Sequence, residues 1–235
     1  MTTHLARVVG FLLVAGLLSA PAGRALALAS DDAILPVDQH TSDKARRLAT
    51  THARALQDLS VGVYDCLPWL AVQRQSIGFF RPKGAAQDDR YLSMRVYIEQ
   101  NPSRQFASLA VEQRASAMFS RYVGPLLRRM AADPGIMTDA SLDGFNIILE
   151  WLKQMPREAG ERPVHETIAV FLPKSAVGEY LKGRVPVGGL ADAARVLGWD
   201  GETALGPLKL TAWDDNFVAT YKIANYEVEK GVTCR

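Results

Sequence analysis

From Ser42 onward the spacing of apolar residues switches repeatedly between steps of three or four and steps of two. This restricts the chain more than any composition figure. A 3.6-residue period buries one stripe of a helix, and a two-residue period buries one face of a strand. Ala45, Leu48, His52, Ala55, Leu56, Leu59 and Val63 follow helical steps behind Ser42, a residue suited to an N-cap. They predict an N-terminal amphipathic helix that ends before Pro68. Ser76 to Phe80 reads as a short strand bounded by Pro82 and Gly84. Tyr91 to Gln100 alternates most clearly, with Leu92, Met94, Val96 and Ile98 on one face and Ser93, Arg95, Tyr97 and Glu99 on the other.

After Asn101-Pro102-Ser103, the residues Val111, Ala115, Met118, Phe119, Tyr122 and Leu126 form a second helical stripe. Pro125 lies inside it and predicts a kink or a restart. Gly144 to Leu152 is apolar on both faces near its centre and is expected to be covered on both sides. Val164 to Leu172 is the next strand, reached through a charged connection with Pro156, Gly160 and Pro163. Ser175 to Lys182 and Leu190 to Leu197 are expected as short helices. Leu208 to Trp213 and Phe217 to Asn225 are expected as a hairpin about Asp214-Asp215-Asn216. Strand pairs joined by short turns imply an α+β fold: a mostly antiparallel sheet, helices packed on one face, and strand-strand-helix units. The order of units hints at a duplication, although residue identities do not repeat.

The first 29 residues carry no Asp or Glu. A short segment with Arg7 precedes an apolar run from Val8 to Leu18, and two overlapping A-x-A sites follow at Ala25–Ala29. That order is expected of a secretory signal peptide. The apolar run is too short for the ~20 residues of a membrane-spanning helix. Residues 30–41 are expected as a flexible lead-in, and residues 42–235 as a single domain. Removing the signal leaves about 206 residues, enough for one core. It also removes Arg7 and Arg24, the margin by which 27 Lys and Arg exceed 25 Asp and Glu. The remainder is formally neutral, which argues against a nucleic-acid partner. No later run approaches the length of a membrane span, so no integral span is expected after signal removal. The setting is expected to be periplasmic or secreted, and none of the four Asn residues starts a usable N-x-[ST] sequon. Cys66 and Cys234 are expected to form a disulfide there, worth up to about 5 kcal/mol for so long a loop.

Few residues carry obvious chemistry. The mature chain has only His40, His52 and His165, with no H-x-x-x-H or C-x-x-C, so neither a metal nor another cofactor is expected. There is no G-x-S-x-G elbow and no phosphate-cradling glycine loop. One cationic feature remains. Arg114, Arg121 and Arg128 are seven residues apart, and in a regular helix they form a stripe able to meet an anion. Trp69, Trp151, Trp199 and Trp213 could line a ligand cavity. The expectation is an exported, soluble binding or assembly protein without catalysis, acting on a small anionic or lipid-like ligand or a protein partner. Two other readings compete with it. One is a small exported hydrolase using His165 and Glu166 with Asp214 or Asp215. The other is a structural subunit in which another chain completes the strand from Gly144 to Leu152.

Overall fold

The computed structural model describes residues 31–66, 70–98, 104–154 and 162–212. The signal segment, Asp214, Asp215, Trp69, Trp213, Cys234 and the expected terminal hairpin strand at 217–225 lie outside them, so the pairing of Cys66 with Cys234 does too.

Ser42 caps the first helix, its hydroxyl accepting the Ala45 amide at 3.2 Å. The expected helical stripe is carried by α1 (Asp43–Thr51) and α2 (Ala53–Cys66). They meet at His52, where the backbone relaxes to φ −104° and ψ 18° while hydrogen bonds from His52 to Leu48 and from Leu56 to His52 continue across the break. Residues 31–41 do not trail freely. Ile34 bridges Ile77, and Leu35, Ile77 and Gln75 hydrogen-bond between the two segments. The flexible lead-in is therefore corrected to an ordered flank of the sheet.

Among the described residues the sheet has seven strands. β1 (Leu70–Val72) and β2 (Gly78–Phe80) both pair antiparallel with one edge of β3 (Tyr91–Ile98). β3 runs parallel to β4 (Gly144–Gln154), and antiparallel pairing continues through β5 (Val164–Pro173), β6 (Arg195–Asp200) and β7 (Thr203–Pro207). The fold is α+β, with a mostly antiparallel sheet. A parallel pair needs a long crossover. Here it contains α3 (Arg104–Ala107), α4 (Val111–Met118), α5 (Gly124–Met130) and α6 (Pro134–Thr138). Between β5 and β6 lie α7 (Lys174–Leu181) and α8 (Val187–Ala193).

Pro125 acts on α4 and α5 in a specific way. It cannot donate to the Arg121 carbonyl, and its ring crowds that carbonyl. The helix does not break. It widens into a π-helical segment, Phe119–Val123, and resumes with Pro125 in the first turn of α5. Ser116 and Ser120 hydroxyls donate to carbonyls four residues back, at 2.6 and 2.7 Å, a habit that bends helices.

Alternation along the strands separates the two faces of the sheet. Leu92, Met94, Val96, Ile98, Phe145, Ile147, Leu149, Trp151, Ile168, Val170 and Leu172 are at most 1 % exposed and join one core with residues from the helices. On the opposite face Tyr91, Arg95, Tyr97, Ile148, Glu150, His165, Thr167, Phe171, Leu197 and Trp199 are only half-buried. The buried apolar residues of that face, Leu152 and Ala169, lie outside the core cluster.

Four expectations are corrected here. β4 is not covered equally on both faces: its apolar residues pack against helices on one side, and Ile148 is half-exposed on the other. β4 is also not a strand awaiting another chain, because β3 and β5 fill both of its ladders. Leu190 to Leu197 is not one helix, since α8 ends at Ala193 and Leu197 belongs to β6. The expected strand from Leu208 has no regular structure over its described residues, 208–212.

Candidate functional site

Successive residues of a strand point to opposite faces. His165 and Glu166 are adjacent in β5, so the structure separates them. Glu166 is 1 % exposed on the helix-covered face. Arg114 grips it bidentately, Nε to Oε2 at 2.7 Å and Nη2 to Oε1 at 2.5 Å. Trp151 donates its indole N–H to Oε2 at 3.1 Å. Arg114 also donates to the Ala107 and Leu109 carbonyls. Beside this pair, Lys153 Nζ lies 2.6 Å from Asp200 Oδ2 and 4.0 Å from Glu166. Two residues expected in rival roles, a ligand-binding arginine and a hydrolytic carboxylate, are thus one buried ion pair joining the start of α4 to β5. The hydrolase grouping of His165 with Glu166 is not assembled.

The arginine stripe is not assembled either. Arg114 is 6 % exposed and committed to Glu166. Arg121 is half-buried in the π-helical segment. Arg128 is exposed, its guanidinium 5.3 Å from the centre of the Tyr180 ring. The wide turn adds one residue between the first and last arginine. That rotates the later part of the helix by about 100°, one residue's worth.

The opposite face of the sheet, which no helix among the described residues covers, brings other side chains together. In register across β4, β5 and β6 lie Glu150, Thr167 and Trp199, and Tyr97 on β3 begins that row. The next row is Arg95, Ile148, Ala169 and Leu197. Glu150 Oε2 accepts three donors: Arg95 Nη2 at 2.6 Å, Arg95 Nε at 3.2 Å and Gln73 Nε2 at 3.1 Å. Its other oxygen faces His165 Nδ1 at 3.9 Å, beyond hydrogen-bond range. Tyr97 meets the His165 ring edge-on at 5.3 Å. Beside this cluster is an open depression of about 340 Å³, lined by Arg95, Ile148, Thr167, Ala169, Trp199 and Gly201. Its size suits a small molecule.

The hairpin of β6 and β7 positions Trp199. A register shift falls between Gly198 and Trp199, and Gly201 adopts φ 58° at the turn. The Gly201 amide donates to His165 O at 2.8 Å, tying the turn to β5. Sequence reasoning assigned no strand to 198–207. The available signal was Asp200-Gly201, a strong hairpin dipeptide, directly after Trp199. Arg95 lies on the face that its strand's alternation predicts, but its carboxylate partner lies 55 residues away.

Among the described residues, no three His, Cys, Asp or Glu side chains group as metal ligands would, and no helix is long and apolar enough to cross a membrane. Comparison with protein-family models, curated proteins and solved structures finds no match in any of the three.

Proposed function

We propose that this chain is an exported binding protein that acts without catalysis and takes a small amphipathic anion on the open face of its sheet. One observation carries the reading: helices cover one face of the sheet, and the other face, among the described residues, holds an open depression with Trp199 in its lining beside a guanidinium. Ile148, Ala169 and Trp199 offer an apolar floor to a hydrocarbon body. Arg95 is partly exposed, with 39 % of its side chain accessible. Glu150 orients it through Nε and Nη2, leaving guanidinium N–H groups for a carboxylate or sulfate head. A ligand with one apolar and one anionic end fits both features. This relocates the anion site from the Arg114, Arg121 and Arg128 stripe to Arg95.

The export half of the proposal rests on the acid-free leader, its short apolar run and the A-x-A sites at 25–29. In that setting Cys66, at the end of α2, and Cys234 form a disulfide. N-terminal sequencing of protein from the producing cell should begin near Ser30. Chain recovered intact from Met1 in cytosol would reject export.

Decanoate is a suitable probe for the open face, with tryptophan emission as the signal. Decanoate should shift the emission of the parent protein saturably, and W199F should lose most of that shift. R95Q should weaken binding about tenfold, the value of one charge-assisted hydrogen bond. R128Q, on the far side of the sheet, should bind as the parent does. Equal decanoate affinity in the parent, R95Q and I148D would reject the site.

A further inference from the structure

A second cavity, of about 320 Å³, lies where the segment before α1 meets the loop that follows β2. Its lining includes Arg81, Lys83 and Arg90 and no carboxylate. Of these three cations Arg90 is paired, with Asp88. Elsewhere Lys44 is paired with Asp143, Arg95 with Glu150, Arg114 with Glu166 and Lys153 with Asp200. Arg81 and Lys83 are exposed and make no ion pair among the described residues. Arg90 is 3 % exposed. Its Nε donates to Asp88 Oδ1 at 2.6 Å and Nη1 reaches Phe79 O at 3.4 Å, which fixes the guanidinium in the wall. Asp88 is itself engaged, taking the Ser42 hydroxyl on Oδ2 at 2.9 Å.

His40 lines the same cavity and adds no further charge. Its Nε2 accepts the Phe79 amide at 3.3 Å, which requires an unprotonated nitrogen, and its Nδ1 is 3.1 Å from Pro36 O, where it donates. The imidazole is a neutral wall. The cavity also has an apolar side, formed by Leu35, Phe80 and Pro82. Two exposed cations with no ion pair among the described residues, beside the Asp88-paired Arg90 and an apolar surface, match an anion of several oxygens attached to an apolar group.

We propose that this cavity is a binding site for a phosphate monoester, held by Arg81 and Lys83 with Arg90 behind them. The proposal is independent of the open sheet face, which lies on other strands and uses other residues. The phosphate could belong to a soluble ester or to a phosphatidic acid headgroup, since both end in the same dianion.

Calorimetric titration of the full chain with phenyl phosphate tests the site. The parent should bind saturably, and more tightly than it binds inorganic phosphate, because Phe80 and Pro82 meet the ring. The double variant R81Q/K83Q removes two exposed side chains and should weaken binding by at least about tenfold. R95Q should bind phenyl phosphate as the parent does, which keeps this result separate from the decanoate experiment. Co-sedimentation with vesicles containing phosphatidic acid, lost in R81Q/K83Q, would assign the phosphate to a lipid. Phenyl phosphate binding without co-sedimentation would assign it to a soluble ester. No saturable binding in either arm, or an affinity unchanged in R81Q/K83Q, would overturn the proposal.

Discussion

Arg114 shows how little a residue's type says about its use. In sequence it is one of three evenly spaced cations. In the fold it is the counter-ion of Glu166 inside the protein, held at two nitrogens and shielded from water. A buried pair gains Coulomb energy at the cost of desolvating two charges, so its net worth is small, but losing one partner strands the other. R114A should therefore lower unfolding free energy by about 3–5 kcal/mol in urea titration. R114M/E166L, which removes both charges, should regain most of that loss. Parent-like stability of R114A would show that Glu166 tolerates burial alone. His165 illustrates the same point from the other face. Its neighbour in sequence is unreachable, and its neighbours in space, Glu150 and Tyr97, come from strands β4 and β3.

At the scale of elements, period predicts faces well and partners poorly. The alternation of β3 places Leu92, Met94, Val96 and Ile98 against the core, because burial of one face is a local property of a strand. The stripe of α4 and α5 was also visible, and Pro125 marked its irregularity, since a missing amide is written in the residue itself. What the helix did there was not visible. It widens into a π-helical turn and resumes as α5, with Phe119, Tyr122, Val123 and Leu126 all buried. The crossing of strands has its own sensitive point at the start of β4. A Cβ on Gly144 would collide with the Leu172 carbonyl and the Tyr91 ring. Backbone cannot yield as a flexible side chain does, so G144A should cost about 1–3 kcal/mol, the usual range for overpacking. Thermal unfolding would measure it. A melting temperature equal to the parent's would show that β4 and β5 can separate there without loss.

Across the whole molecule, the N-terminal flank is joined to the sheet through a titratable residue. Burial, reinforced by Arg90 and Arg46, depresses the His40 imidazole below its ordinary 6.5, despite hydrogen bonds with the 36–37 backbone. The unfolded chain then binds a proton more readily than the folded one. Stability from this source is complete above about 6.5 and is lost as pH falls below it toward the folded value. A protonated Nε2 can no longer accept the Phe79 amide, so the flank and β2 should loosen together. The melting temperature should fall between pH 7.5 and 5.5 in the parent, and the fall should be smaller in H40Q. An identical slope in both proteins would remove His40 from the account.

The sequence by itself determined the fold class, the first helix with its Ser42 cap, the polar and apolar faces of β3, and the place where the second long helix departs from regularity. These follow from the period and chemistry of neighbouring residues, and neighbours in sequence are neighbours in a helix turn or a strand. Only the tertiary structure decided that β3 and β4 run parallel, that Arg114 meets Glu166, and that Arg95, Glu150 and Trp199 share a surface. Each of those depends on strand order and register, which are set by how separate elements bury their apolar faces together and not by any short stretch of chain.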